Sequence, residues 1–516
     1  MTNRIDTARA GRREWIGLAV IALPCLVIVM DLTVLHLAVP TISADLKPSP
    51  SQLLWIVDIY GFLLSGSLVT MGNLGDRIGR RKILLIGASV FALASVFAAF
   101  SRSPEMLVAA RGILGVAGAT LAPSTLSLIR NMFLDEQQRT VAVGIWVGSF
   151  AAGSALGPLL GGVILQYFWW GAVFLVPVPV MALLLLLGPR LLPEFRDPNA
   201  GRVDVASAAL SIVAVLATIF GLKLVAQDGL SLIPVASIAA GVVFGALFVR
   251  RQRRLAHPLI DLQLFRIPVF SATVVTLTLN AFVMFASSFF TAQYLQLVLG
   301  LSPLQAGLWT LPSAIGIVIA SQIAPRLVRR APPATVMMGG ALVCALAFAL
   351  LAFVSVGGLA VLVIGSVVAT VGAGPIAALA NATIVGAAPP EQAGSAAAIS
   401  QTSIDFGGAL GIAVLGSLGV AVYRVVMAGA IPAGVSPGAA QVARDTLGGA
   451  VAASRDLPAS IGAALLDSAR GAFAEAYLAF AVISAVLMIV AAVVLAAVAA
   501  TDRPARSRAR AVNVPS

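Results

Sequence analysis

Charge is scarce in this sequence. Only 10% of the 516 residues are Asp, Glu, Lys or Arg, against about a quarter in an ordinary soluble domain. With 59% of residues hydrophobic, water cannot be the main solvent. Cysteine is nearly missing: Cys25 and Cys344 both fall in apolar runs, which excludes a disulfide framework and a thiolate metal site. The two histidines, His36 and His257, have no neighbouring Cys or His. His257 stands in a basic loop and reads as a solvated residue; His36 lies near the end of the first apolar run, where contact with substrate or protons competes with plain burial. Neither a GxxxxGK[ST] loop nor an HExxH pair occurs, so nucleotide hydrolysis and zinc chemistry are excluded, and the chain is not expected to be an enzyme.

Long apolar runs are what the sequence has instead. A membrane-spanning helix needs about 20 apolar residues, and runs of that kind are read at 15–40, 53–72, 82–100, 105–129, 140–165, 169–190, 205–226, 231–250, 268–293, 303–325, 333–354, 358–381, 395–423 and 472–500. The expectation is an all-α polytopic membrane protein with fourteen spans. The first run is too long for a removable signal peptide and lacks its cleavage pattern. An even count puts both termini on one side. With that side taken as the cytoplasm, the inner segments hold 25 Lys and Arg and the outer loops 6. The net charge of +12 is therefore an orientation signal and not a nucleic-acid footprint. Thirty arginines beside three lysines, with abundant Ala and Gly, point to a GC-rich bacterium and its cytoplasmic (inner) membrane.

Four charges lying deep within the spans need a reason, since each costs about 3 kcal/mol or more in mid-bilayer and normally faces a protein interior or watery cavity. At about 1.5 Å per residue, Asp31 in the first span, Asp58 in the second and Arg111 in the fourth all fall about 6–8 Å inside the outer edge of a core roughly 30 Å thick. Two carboxylates would then share one guanidinium, leaving one negative charge over for a proton or a cation. Asp405, in "SQTSIDFGGALG" (400–411), falls near mid-membrane with no Lys or Arg at that depth in its half. Burial there favours the neutral, protonated form unless a cation arrives. Ser400, Gln401 and Thr402 stand one turn before it.

Two segments repeat. "GNLGDRIGRRK" (72–82) follows the second span and "SQIAPRLVRRA" (321–331) the tenth; "ALGPLLGG" (155–162) lies in the fifth and "ALGIAVLG" (409–416) in the thirteenth. Gly157 matches Gly411 and Gly162 matches Gly416, always eight spans apart. The expected division is a six-helix bundle over 14–190, two inserted helices over 205–250, and a second six-helix bundle over 266–500 with an outer loop at 424–470. In that loop, 441–457 and 458–477 read as short amphipathic helices on the membrane face or over a cavity mouth.

With these motifs, the chain resembles the major facilitator superfamily. "GNLGDRIGRRK" is similar to its signature loop, "RGILGVAGA" (111–119) to its Arg motif, and "GSALGPLLGG" (153–162) to the motif of drug-exporting antiporters. "MDLTVLHLAVPTI" (30–42) and "QLLWIVDIYGF" (52–62) resemble the fourteen-span drug:proton antiporters, especially the quaternary-ammonium and multidrug exporters. The second loop departs from the pattern, with Pro325 where the first has Asp76. The resemblance implies a proton-coupled exporter of lipophilic, often cationic compounds, driven by the proton motive force with no cofactor and no metal, and working as a monomer in the bilayer. It implies proton or substrate roles for Asp31, Asp58, Arg111 and Asp405, and conformational gating by Gly72, Asp76, Arg77, Gly79, Arg80, Gly153, Gly157, Pro158 and Gly161. Trp55, Tyr60, Phe62, Trp146, Phe150, Asn280, Phe285, Phe289 and Gln401 are candidate cavity residues, the aromatics as stacking surfaces for planar cations. Two rivals stay open: a dedicated exporter of one antibiotic or metabolite, and a non-transporting receptor or scaffold.

Overall fold

Hydrocarbon offers the backbone no water, so a spanning chain closes its own hydrogen bonds within helices. The computed structural model describes residues 9–196, 204–228, 231–255, 262–354, 358–389 and 393–512, and His257 lies outside them. Among the described residues there are sixteen α-helices and no β-strand. They are α1 (Arg12–Leu46), α2 (Pro50–Ile78), α3 (Arg80–Ala99), α4 (Pro104–Met132), α5 (Glu136–Tyr167), α6 (Pro177–Leu191), α7 (Val205–Asp228) and α8 (Leu232–Gln252). Then follow α9 (Pro268–Gln293), α10 (Pro303–Leu327), α11 (Pro333–Leu351), α12 (Leu359–Ala387), α13 (Ala393–Ala430), α14 (Pro437–Asp445), α15 (Leu447–Arg455) and α16 (Ala459–Val512). Thirteen helical segments among the described residues are long and apolar enough to cross a membrane. At the expected seventh span only Ala206–Leu222 of α7 is continuously apolar.

Local chemistry sets several helix starts. Ser49 accepts the Gln52 amide at 3.2 Å while Gln52 Oε1 accepts the Ser49 amide at 2.9 Å, a reciprocal cap followed by Pro50 at the first helical position. Ser103 and Asp135 cap α4 and α5 by single bonds, accepting from the Met106 and Gln138 amides. The run expected at 169–190 is not one smooth helix. A 3-10 turn, Trp170–Leu175, precedes α6, because Pro177 has no N–H to give an α-helix continuing through it.

The chain forms two compact units. The first comprises Met1–Thr218, Ala239–Phe248 and Leu301–Leu308; the second comprises Ile219–Ile238, Val249–Gly300 and Trp309–Ser516. In the first unit α1 and α5 run parallel and close together. A Cβ on Gly153 would strike the Leu26 carbonyl, one on Gly157 the Thr33 hydroxyl, and one on Gly161 would lie 2.9 Å from Val34. Glycines four apart let the backbones approach, as in small-residue membrane packing. In the second unit α9 and α13 repeat that pairing. A Cβ on Gly407 would lie 2.6 Å from the Thr278 carbonyl oxygen, and one on Gly411 would strike the Phe282 carbonyl. Gly157 and Gly411, matched in sequence, thus press on the first helix of their own copy.

Aromatic packing fastens α16 within the second unit. Phe290 stacks on Phe480 at 4.6 Å, Tyr294 meets Tyr477 at 5.3 Å, and Phe348 of α11 meets Phe480 edge-on at 5.7 Å. One expectation fails beyond α13. The stretch 458–477 is no separate amphipathic helix: α16 starts at Ala459 and runs unbroken through the last span. Nothing after Pro458 interrupts the Ala-rich helical pattern before the span begins, so the charges at Asp467, Arg470 and Glu475 simply ride on its first turns. The reading of 441–457 as short helices meets α14 and α15, held by Tyr423 Oη donating to the Ala443 carbonyl at 2.8 Å and by Arg424 facing Asp445 at 3.6 Å.

Candidate functional site

The first unit buries an ion pair. Asp31 of α1 and Arg111 of α4 are in direct contact, with 4% and 0% of their side chains exposed. Arg111 Nε also donates to the Ile56 carbonyl of α2 at 3.2 Å, and the guanidinium lies over the Tyr60 ring at 4.5 Å and near Phe174 at 5.9 Å. One cation therefore ties three helices together through a carboxylate, a carbonyl and an aromatic face. Buried pairs of this kind resist the loss of either partner, because the survivor is left charged and dry, a cost of about 3–5 kcal/mol. His36, buried on α1, lies within electrostatic reach of Arg111.

Asp58 is 1% exposed on α2. The α2 face meeting α4 carries Ile59, Tyr60, Leu63 and Leu64, which pack against Gly112, Gly115 and Gly118. At about 100° per residue, Asp58 stands roughly opposite that face. Of the three charges expected in one layer, the structure joins Asp31 to Arg111, while the Asp58 backbone position lies on the other side of α2.

In the second unit, Asp405 of α13 is half-buried, and both its carboxylate oxygens accept from Gln401 Nε2 at 3.1 Å, one turn earlier. Among the described residues no cation pairs with it. Gln401 has spent its donor on a neutralisable partner, so a cation or proton reaching Asp405 meets a carboxylate that is oriented but uncompensated. Ser400 is buried beside this turn, and Thr402 Oγ1 has no hydrogen-bond partner among the described residues. Phe285 of α9 lies against Gly408, one turn beyond Asp405. Asn280 is buried on the far side of α9 from α13 with its Oδ1 unpartnered among the described residues, and Phe289 meets Phe290 edge-on at 5.8 Å.

The aromatic candidates divide by what they touch. Tyr60 serves Arg111. Trp146 donates from Nε1 to Thr125 Oγ1 at 2.9 Å, Thr125 in turn meets Cys25 Sγ at 3.5 Å, and Phe150 packs edge-on against Trp146 at 4.8 Å. Those contacts link α5, α4 and α1. Phe62 is buried and Trp55 half-buried on α2.

At the α2–α3 turn, Asp76 accepts from Arg80 Nε at 2.7 Å. Gly79 has φ +116°, and a Cβ there would lie 2.5 Å from Glu194 Oε1, so the turn demands glycine twice over. Glu194 Oε1 accepts the Arg81 amide at 3.1 Å, the Phe195 carbonyl accepts the Arg80 amide at 2.9 Å, and Arg81 Nη1 donates to the Leu192 and Pro189 carbonyls at 3.0 and 3.2 Å. The segment after α6 thus grips the signature loop. Sequence reading missed Glu194. Its signal was an acidic residue in "LPEFR" (192–196), on a side of the membrane where basic residues are expected. Arg77 is exposed. In the second copy Pro325, Arg326, Arg329 and Arg330 are all exposed and no comparable grip forms among the described residues.

The glycines singled out as gating differ in what surrounds them. Gly153→Ala would drive a methyl into the Leu26 backbone, which cannot swing aside, whereas Gly72→Ala would meet Pro123 at an ordinary 3.6 Å. Gly153→Ala is expected to lower stability by about 1–3 kcal/mol and Gly72→Ala to leave it nearly unchanged. Unfolding midpoints of the detergent-purified variants check this, and equal midpoints would refute the packing account. The Pro158 carbonyl, on the same helix, faces Gly307, which belongs to the same unit.

A model of the Major Facilitator Superfamily matches residues 22–412. The multidrug efflux pump LfrA of Mycolicibacterium smegmatis is 46% identical over 491 residues, covering 95% of this chain and 97% of that protein. The methyl viologen resistance protein SmvA of Salmonella typhimurium is 35% identical over 464 residues, covering 89% and 93%. The tetracenomycin C resistance and export protein of Streptomyces glaucescens is 32% identical over 492 residues, covering 94% and 91%. Among solved structures, a bacterial homolog of the human lysosomal transporter Spinster, inward-facing and unoccupied, matches with a TM-score of 0.64 at 17% identity, covering 94% of this chain and 98% of that one. That likeness concerns the fold.

Proposed function

From a chain that belongs to the Major Facilitator Superfamily and to its multidrug exporters, we propose a proton-coupled antiporter that exports lipophilic, often cationic compounds by alternating access. The chain is a transporter and not an enzyme, a multi-pass protein of the bacterial inner membrane. Both termini face the cytoplasm in this reading, because the basic segments then lie inside, and the protein works as a monomer.

The observation that carries the reading is the unequal setting of the two carboxylates. Asp31 is matched by Arg111, while Asp405 is held by an amide alone. A membrane carboxylate without a counter-cation is neutralised by whatever positive species arrives, a proton or a cationic substrate. Occupied by one or the other, such a site exchanges them. The membrane potential supplies about 2.3 kcal/mol per charge per 100 mV, so a cycle that brings in two protons for one monocation is driven by potential and pH gradient together. The grip of Glu194 on the signature loop gives one unit a rigid end on which a conformational latch at Asp76 and Arg80 can act.

Ethidium and acriflavine efflux from preloaded cells, with and without a protonophore, tests the proposal. Efflux of several unrelated cationic dyes that stops when the protonophore is added is the expected result. Protection against a single scaffold would favour the dedicated exporter. Efflux indifferent to the protonophore would overturn the coupling.

A further inference from the structure

The inserted helix α8 is the span that the rest of the protein covers least. Leu232, Ile233, Val235, Val242, Val243 and Leu247 are each 43% exposed or more. Its buried positions, Pro234, Gly241 and Gln252, recur on one stripe, and Gly241 there admits Thr218 of α7. At about 100° per residue, the exposed apolar residues centre on the opposite side from that stripe.

The helix ends in "RRQRR" (250–254). On the same wheel Arg250, Arg251, Arg253 and Arg254 fan over about 160°, facing away from buried Gln252 and centred on the exposed apolar side. The backbone keeps turning through them, with the Arg253 amide donating to the Val249 carbonyl at 3.2 Å and the Arg254 amide to the Arg251 carbonyl at 2.9 Å. Arg250, Arg253 and Arg254 are exposed and have no ion-pair partner among the described residues. Orientation in the membrane requires basic residues in this loop. It does not require them to crown the helix's exposed apolar face.

An amphiphile with a fatty tail and an anionic head has that layout: acyl chain along Leu247, Val243 and Val242, phosphate at the arginines. We infer that the C-terminal end of α8 is a binding site for an anionic phospholipid, which anchors the inserted helix pair to the bilayer. Juxtamembrane Lys or Arg attracts anionic lipid, whereas a zwitterionic headgroup offers no net charge to complement the fan. The inference is independent of any transport role.

The test measures lipid retained by the full-length, detergent-purified protein, by native mass spectrometry, as phosphatidylglycerol or phosphatidylcholine is titrated in. Wild type should favour phosphatidylglycerol. R250Q/R253Q/R254Q should weaken phosphatidylglycerol binding by about five-fold per arginine, on the order of 100-fold in all, with phosphatidylcholine binding unchanged. R250K/R253K/R254K keeps the charge that orients the chain and should keep the preference. Equal binding of the two lipids by wild type, a loss below about three-fold in the Gln variant, loss of preference in the Lys variant, or displacement of phosphatidylglycerol by inorganic phosphate would each overturn the site.

Discussion

Asp31→Asn is expected to bring protonophore-sensitive dye export to background and also to destabilise the protein. The second effect follows directly from the geometry: Arg111 is fully buried, its other contacts are a carbonyl and two aromatic rings, and among the described residues no second carboxylate is bonded to it. Removing its counter-charge should lower stability by about 3–5 kcal/mol, read as a drop in the unfolding midpoint. Lost transport in the single variant therefore does not by itself separate a proton carrier from a structural ion. The double variant Asp31→Asn/Arg111→Gln does. Both charges are gone, so most of the stability should return. If Asp31 carries protons, transport stays at background; if it only balances Arg111, transport returns with the fold.

Asp405→Asn should show the opposite balance. Among the described residues there is no ion pair to break, and an Asn carbonyl can still accept from Gln401, so stability should change by no more than about 1 kcal/mol. Export of monocationic dyes should nevertheless fall to background, because a neutral amide holds neither a proton nor a cation. Wild-type dye binding should also weaken as pH falls. Protons fill the carboxylate, and its neutral form no longer attracts the dye. In Asp405→Asn that dependence should be lost. Binding of a cationic dye to the purified protein across a pH series checks both statements. A variant that binds and exports like wild type would remove Asp405 from the pathway.

The sequence carried the helices well because lipid leaves the chain few options. Apolar run length gives a span, and "SPSQ" and "SPEM" announce the starts of α2 and α4 through caps that the structure contains. Gly157 and Gly411 were legible as matching positions because a neighbouring helix crowds each of them, through the Thr33 hydroxyl and the Phe282 carbonyl. What escaped was angular and tertiary. Depth along a helix placed Asp31, Asp58 and Arg111 in one layer, but depth says nothing about azimuth, and at about 100° per residue Asp58 starts from the side of α2 opposite the one that meets α4. Glu194 escaped because its partners, the Gly79 turn and the Arg81 amide, lie more than a hundred residues away. The extent of α16 escaped because an apolar threshold marks where a helix enters lipid and is blind to helix continuing into water.

α13 has 38 residues and α16 begins at Ala459, so the helix ends joined through α14 and α15 extend well past the roughly 30 Å of hydrocarbon that each must cross. A 52.7 kDa transporter largely hidden in a detergent belt thus shows an ordered, water-facing feature at α14 and α15. An antibody fragment raised against 431–458 would grasp a folded epitope and add recognisable mass. It would also mark one face of every particle, which is what image alignment of so small a membrane protein most needs.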